Sequence, residues 1–178
     1  MKSDTLLNAK DIAIAVDRLG LQVLERNHSF DSLAIVGIHT GGVFLAERIL
    51  EFIRQQTDYN IPYGSLDINL YRDDWSLVSQ NPVVKTTDIS FSVENKDILL
   101  VDDVLFTGRT IRAAMEALID FGRPRSIQLA VLVDRGGREF PIQADYVGLV
   151  TTVRADERIQ VLFQEQGGTD EVILQNPQ

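Results

Sequence analysis

The sequence contains no cysteine. That removes disulfides, thiol nucleophiles and Cys-ligated zinc, and it fits a reducing compartment. Histidine is nearly absent, only His28 and His39 being present, so a His-rich metal site is excluded as well. Lysine is scarce: four of the 17 basic residues are lysines, and the net charge is -9 with a pI near 4.6. A broad electrostatic grip on nucleic acid is therefore disfavoured, since Lys and Arg carry such binding, and only a local basic patch is left open. No window approaches 18 uninterrupted apolar residues, which predicts no membrane span and a cytoplasmic protein. Neither GxxxxGK[ST] nor GxGxxG occurs, so ATP and NAD drop down the list of ligands. Internal repeats and low-complexity blocks are lacking too.

What is present is an ordinary soluble composition, 44% hydrophobic and 24% charged over 178 residues. That is enough for one sizeable core and short for two, so 1–178 is read as a single domain.

The stretch that organises the chain is Ile98 to Thr110, ILLVDDVLFTGRT. Ile98, Leu99, Leu100 and Val101 form a continuous apolar run that suits a strand covered on both faces by helices. Asp102 and Asp103 stand at its C-terminal end, the edge of an open α/β sheet where ligands bind. Downstream, Ile111, Ala114, Met115, Leu118 and Ile119 give one apolar stripe on a helix that Gly122 and Pro124 stop. The Thr-Gly-Arg-Thr turn thus opens a helix, where unpartnered N–H groups and the helix dipole favour a phosphate. Gly108 permits close backbone approach, and the hydroxyls of Thr107 and Thr110 can donate to phosphate oxygens. Adjacent carboxylates on an extended strand end point to opposite sides, so Asp102 and Asp103 can meet ribose hydroxyls and, directly or through water, a hydrated Mg²⁺. A solvated Asp-Asp turn followed by a Thr N-cap is the plainer alternative.

In chain order, Met1 to Asp4 lead into an amphipathic helix with Asn8 and Asp11 as an N-cap pair, apolar spacing up to Arg26 and Gly20 as a mild interruption. Leu33 to Ile38 reads as a buried strand. It ends in His39-Thr40-Gly41-Gly42 before another helix, a turn whose backbone can form an anion nest or simply a tight connection. Tyr63 to Tyr71 reads as a strand with partial alternation. Residues from about 71 to 96 lack strong periodicity and read as a mobile hairpin over the active site, with Trp75 packing it or sitting at its base. Ser126 to Val133 is a further strand, ending in Asp134-Arg135-Gly136-Gly137 at the same sheet edge. Short strands follow at Tyr146 to Val150 and Arg158 to Phe163, and the tail from Gln164 carries a short apolar VIL.

Ile98 to Thr110 resembles the 5-phosphoribosyl-1-pyrophosphate (PRPP) signature of type I phosphoribosyltransferases. The LDINLYRDD stretch from Leu66, the VDDVLFTGRTIRAAMEAL run, Gly122-Arg123-Pro124 and the SIQLAVLVDRG stretch from Ser126 are similar to the PyrR family, over roughly residues 8 to 163. The resemblance implies an α/β type I phosphoribosyltransferase fold: a mostly parallel central sheet flanked by helices, a flexible lid, and a small hood from the N- and C-terminal segments. It implies transfer of phosphoribose from PRPP to uracil, giving UMP and pyrophosphate, with Mg²⁺ held by Asp102 and Asp103 mainly through water. Thr40 and Gly41 would hold the pyrophosphate. Val104, Leu105 and Phe106 would belong to the PRPP-binding loop, and Thr107, Gly108, Arg109 and Thr110 would hold the 5′-phosphate. Asp102, Asp103 and Arg72 would be the catalytic set, with Arg72 reaching the pyrophosphate, and Val133, Asp134 and Arg135 would line the base pocket. Orotate or a purine is the competing base, since the DDxxxTG pattern is shared.

The family also implies a homodimer, sensing of UMP or UTP, and attenuation of pyr operons by binding pyr mRNA, for which Arg18, Arg26 and Arg138 are the candidate contacts. Several positions where the family's basic and polar contact residues are expected carry neutral or acidic ones: Asp17, Leu21, Gly42, Gly137 and Gln143. That counts against RNA regulation, while a regulatory UMP/UTP-sensing, RNA-binding module with little catalysis stays the alternative to the enzyme.

Overall fold

Helix α1 (Ala9–Arg26) starts where Asn8 and Asp11 satisfy each other's backbone. Asn8 Oδ1 accepts from the N–H groups of Lys10 and Asp11, and Asp11 Oδ2 accepts from that of Asn8. The chain is described here from a computed structural model, over residues 3–28, 30–73 and 86–176. Asp74, Trp75 and Pro82, and with them the middle of the expected hairpin, lie outside the described residues. Gly20 leaves α1 unbroken; a Cβ there would stand 2.3 Å from Phe52 Cδ1, so the glycine marks where the second helix packs across the first.

The apolar runs form the strands β2 (Leu33–Ile38), β3 (Tyr63–Leu66), β4 (Asp97–Leu105), β5 (Ser126–Asp134) and β6 (Tyr146–Val150). They make one parallel sheet in the order β3-β2-β4-β5-β6. Helix α2 (Gly41–Gln56) packs with α1 on one face, burying Leu45, Ala46, Ile49 and Ile53 with Ile35, Leu99 and Val101. On the other face, α3 (Arg109–Ile119) buries Ile111, Ala113, Ala114, Ala117 and Leu118 with Val36, Ile98, Leu100 and Val131. Burial on both faces is what the unalternating runs required.

Three expectations are corrected. The strand expected at Tyr63–Tyr71 stops at Leu66, and Asn69–Tyr71 is a 3₁₀ turn, because Asp67 Oδ1 accepts from the Asn69 N–H at 2.9 Å and turns the chain. The apolar alternation misled there, since Leu70 is 72% exposed. The anchor strand extends beyond Val101 through both aspartates to Leu105. Ahead of α1 stands an additional strand, β1 (Ser3–Leu7), paired antiparallel with β8 (Glu171–Gln175), which pairs with β7 (Arg158–Leu162). This second sheet is the expected hood, built from both ends of the sequence.

Residues 86–96, assigned above to the mobile hairpin, run against the body. Asp88 and Ser65 exchange backbone hydrogen bonds, both 2.8 Å, and Val93 is fully buried.

Candidate active site

Because β2, β4 and β5 are parallel, their C-terminal ends bring His39–Gly42, Phe106–Gly108 and Asp134–Gly137 to one edge of the sheet. Each loop has a separate reason for its shape.

Gly108 has φ +89, the left-handed region that glycine favours, and starts α3 with no side-chain cap. The turn is held instead from behind: the Glu139 and Phe140 N–H groups donate to Thr107 O at 2.9 and 3.0 Å. The Thr107 hydroxyl accepts from the Arg109 N–H at 3.3 Å. Residues Val104 to Ile111, with Arg72, line a cavity of about 290 Å³ at this helix terminus. The structure thus joins Arg72, predicted from sequence, to the whole Val104–Thr110 loop, and it adds Ile111, which the sequence offered only as core.

The Arg109 side chain pairs with Asp73 and with Glu139 (2.6 Å to Nε), and its guanidinium lies 5.0 Å from the Phe140 ring centroid. Neither Glu139 nor Phe140 carries a sequence signal for this role; only the folded loop brings them under the turn.

Asp102 is buried, and burial together with the neighbouring Asp103 charge pushes its carboxyl well above the ordinary range. Burial likewise raises Asp103. Asp103 Oδ1 accepts from the Val104 N–H at 2.8 Å, and Asp102 Oδ1 accepts from that of Asp103 at 3.0 Å. Gly41 packs on the Asp103 carboxylate and Gly42 on the backbone at Val101 and Asp102, where a Cβ would lie 2.3 Å from Val101 O. The His39–Thr40 peptide is cis. The two loops are thus in contact across the aspartates. Among the described residues, no group of three or more His, Asp or Glu side chains is arranged to hold a metal by itself.

Val133 is buried at the end of β5. Asp134 accepts from the Gly136 N–H at 3.0 Å and pairs with Arg138 at 2.5 Å. Arg135 is 7% exposed; it donates to Glu157 O and Arg154 O at 3.1 and 3.3 Å, and its guanidinium lies 3.8 Å from the Phe106 ring centroid. Burial lowers its pKa. Of the three arginines considered for RNA, Arg18 donates to Gly148 O, Arg26 pairs with Asp145 at 2.7 Å, and Arg138 bonds Asp134, Phe106 O and Ile142 O. Arg18 and Arg26 lie together along α1 beside β6, and Arg138 lies apart at the sheet edge.

Helices here do not supply a membrane span: among the described residues none is long and apolar enough to cross one.

Residues 2–164 match the phosphoribosyl transferase domain family. A bifunctional protein PyrR from Syntrophobacter fumaroxidans is 48% identical over 173 residues, covering 97% of this chain and 93% of the relative. One from Deinococcus radiodurans is 48% identical over 174 residues, covering 98% and 95%. Among solved structures, a hypoxanthine phosphoribosyltransferase of Trypanosoma cruzi superposes with a TM-score of 0.70 at 15% identity, covering 98% of this chain and 97% of that one, a likeness of fold alone. With the doubly covered parallel sheet, the cavity at the α3 terminus and the aspartate pair on one edge, these matches mean that the chain belongs to the phosphoribosyl transferase domain family and, within it, to the PyrR proteins.

Proposed function

We propose that the protein transfers the phosphoribosyl group of PRPP to N1 of uracil, giving UMP and pyrophosphate. The observation that carries this reading is the cavity of about 290 Å³ between Arg72 and Val104–Ile111, at a helix N-terminus and next in sequence to the buried Asp102 and the half-buried Asp103. Backbone N–H groups of Thr107 to Thr110 and the threonine hydroxyls bind the 5′-phosphate. Asp102 and Asp103 orient the ribose hydroxyls, Asp103 being the one placed to assist proton removal. Thr40, Gly41 and Arg72 take the pyrophosphate, and Val133 and Asp134 border the base.

Burial makes the charged forms of the aspartates unfavourable, which a cation and hydroxyl donors arriving with the substrate would reverse. The donor set fits Mg²⁺ held by substrate oxygens and reached through water. When bound, Mg²⁺ would neutralise the departing pyrophosphate. The protein's own share is positioning and charge stabilisation, together with exclusion of water from a cationic sugar centre. A single domain belongs to the reading, with Arg72 lining the cavity ahead of the segment expected as a cover, and residues 86–96 belonging to the body.

A regulatory second activity, with pyr mRNA as partner, UMP or UTP as signal and a homodimer as the binding form, is supported by the bifunctional names of the relatives. Against an extended basic face stand the net charge of -9 and the engagement of Arg18, Arg26 and Arg138 with this chain's own oxygens.

The test offers PRPP and Mg²⁺ with uracil, orotate, hypoxanthine or guanine, and repeats uracil with Asp103→Asn. UMP from uracil alone, lost in the variant, is expected. PRPP or UMP binding with no turnover of any base would sink the enzyme and favour the regulatory module, whose RNA affinity would weaken by about 0.7 to 0.9 in log K per log salt for each phosphate contact.

A further inference from the structure

Six contacts run from the segment after β5 to the end of β4 and the β4–α3 loop. The Arg135 N–H donates to Leu105 O at 3.1 Å, Arg138 Nη1 to Phe106 O at 2.9 Å, and the Glu139 and Phe140 N–H groups to Thr107 O. Arg135 stacks on the Phe106 ring, and Gly137 touches the ring edge, where a Cβ would be 2.5 Å from Cε2. Gly136 and Gly137, with φ +71 and +76, turn the chain back so that Arg138 reaches the loop that Arg135 already holds.

We propose that Arg135 and Arg138 are positioning residues for the phosphate loop, fixing Phe106 by its ring and its carbonyl so that the N–H groups that follow are set before substrate arrives. This rests on the reading of that loop as the 5′-phosphate site, and it moves Arg135 out of the base pocket.

Burial supports the move. Nη1 and Nη2 of Arg135 each direct an N–H to a backbone carbonyl, that of Glu157 and that of Arg154, Nε is buried without a hydrogen-bond partner among the described residues, and the residue as a whole is 7% exposed. A base would need a donor it can reach. A planar guanidinium held in place over an aromatic face, by contrast, is a stable brace. Arg138 is anchored similarly by Asp134 and Ile142 O before it reaches Phe106 O. A loop so braced meets its ligand with little further ordering, and that saving appears as affinity for the phosphate end and not for the base.

Ribose 5-phosphate binding by calorimetry separates this from the catalytic reading, since it needs no turnover. Arg135→Ala and Phe106→Ala are each expected to weaken it by about tenfold. The double variant should be no weaker than either single one, because the same brace is lost once. Arg135→Lys should fall between, keeping the charge but not both carbonyl contacts. With PRPP saturating, KM for uracil should stay within about twofold, while with uracil saturating KM for PRPP rises. Unchanged ribose 5-phosphate binding, additive losses, or a rise confined to the KM for uracil would each overturn the proposal. If Arg135→Ala does not fold, Phe106→Leu and Arg138→Lys carry the same comparison, and intact ribose 5-phosphate affinity in both would refute it. Absence of turnover with any base in the wild type would remove the catalytic reading and leave the calorimetric result standing.

Discussion

Gly41 lies against the carboxylate of Asp103 so closely that a Cβ built on it would stand 2.1 Å from Oδ2 and 2.5 Å from Cγ. Two loops from different strands, β2 and β4, therefore share one surface, and the glycine is required by the neighbour's carboxylate and not by its own backbone angles.

Gly41→Ala must push Asp103 aside by a large part of an ångström. The expected outcome is a loss of about 100-fold in kcat/KM, the scale that a misplaced reacting group costs. Far-ultraviolet dichroism should stay native. Activity within about threefold of wild type would show that Asp103 needs no fixed position.

Gly108→Ala puts a side chain at φ +89, with its Cβ 3.2 Å from Phe140 Cβ and 3.4 Å from Ile142 Cβ. Destabilisation of about 1–2 kcal/mol is expected in urea unfolding, from the left-handed backbone together with crowding. Ribose 5-phosphate affinity should drop by more than the stability loss explains. Stability equal to wild type would mean that the loop relaxes freely.

Asp97 gives the pH dependence. Arg125, then Ser126 and Ser32, hold its carboxyl down at about 2 against burial. Since the folded value lies below the ordinary 3.8, the native state binds the proton less readily, and the stabilisation is present above pH 4 and lost as pH falls towards 2. Arg125 is well exposed, so screening trims the effect to about 1–2 kcal/mol. Asp97→Asn should therefore unfold more easily at pH 7, with the gap to wild type closing between pH 4 and 2. A gap independent of pH would deny the ion pair its role.

Arg48 fastens the hood. Its Nη1 and Nη2 bond Asp170 at 2.7 Å each, its Nε and Nη2 bond Glu165 at 2.9 and 2.7 Å, and the guanidinium lies 4.9 Å from the Phe163 ring centroid. Arg48→Ala leaves two carboxylates facing each other and should cost about 2–4 kcal/mol, most of it recovered when Glu165→Gln and Asp170→Asn are added. Equal stability of the single and triple variants would contradict this.

The central architecture was legible because its signals are local. Leu33–Ile38, Tyr146–Val150, the capping box and the glycine that opens α3 each depend on a few adjacent residues. The DD and TGRT elements were legible for the same reason. What escaped depends on distant partners. Ser3–Leu7 has no strand character of its own until Glu171–Gln175 supplies the other half of the ladder. Arg135 looks like a ligand donor in sequence, and its contacts with Glu157, Arg154 and Phe106 exist only in the fold. Leu66, Ile68 and Leu70 alternate as a strand should, yet a side-chain acceptor at Asp67 overrides the pattern.

The β1–β8 ladder also sets an order of assembly. Thr5 and Glu171, bonded through their side chains at 2.5 Å, are 166 residues apart, so on the ribosome the first strand must wait for nearly everything else to emerge. The parallel sheet is complete at Val150 and does not depend on Glu171–Gln175. A nascent chain should therefore form that sheet and the loops along its edge first, and pair Ser3–Leu7 with Glu171–Gln175 last.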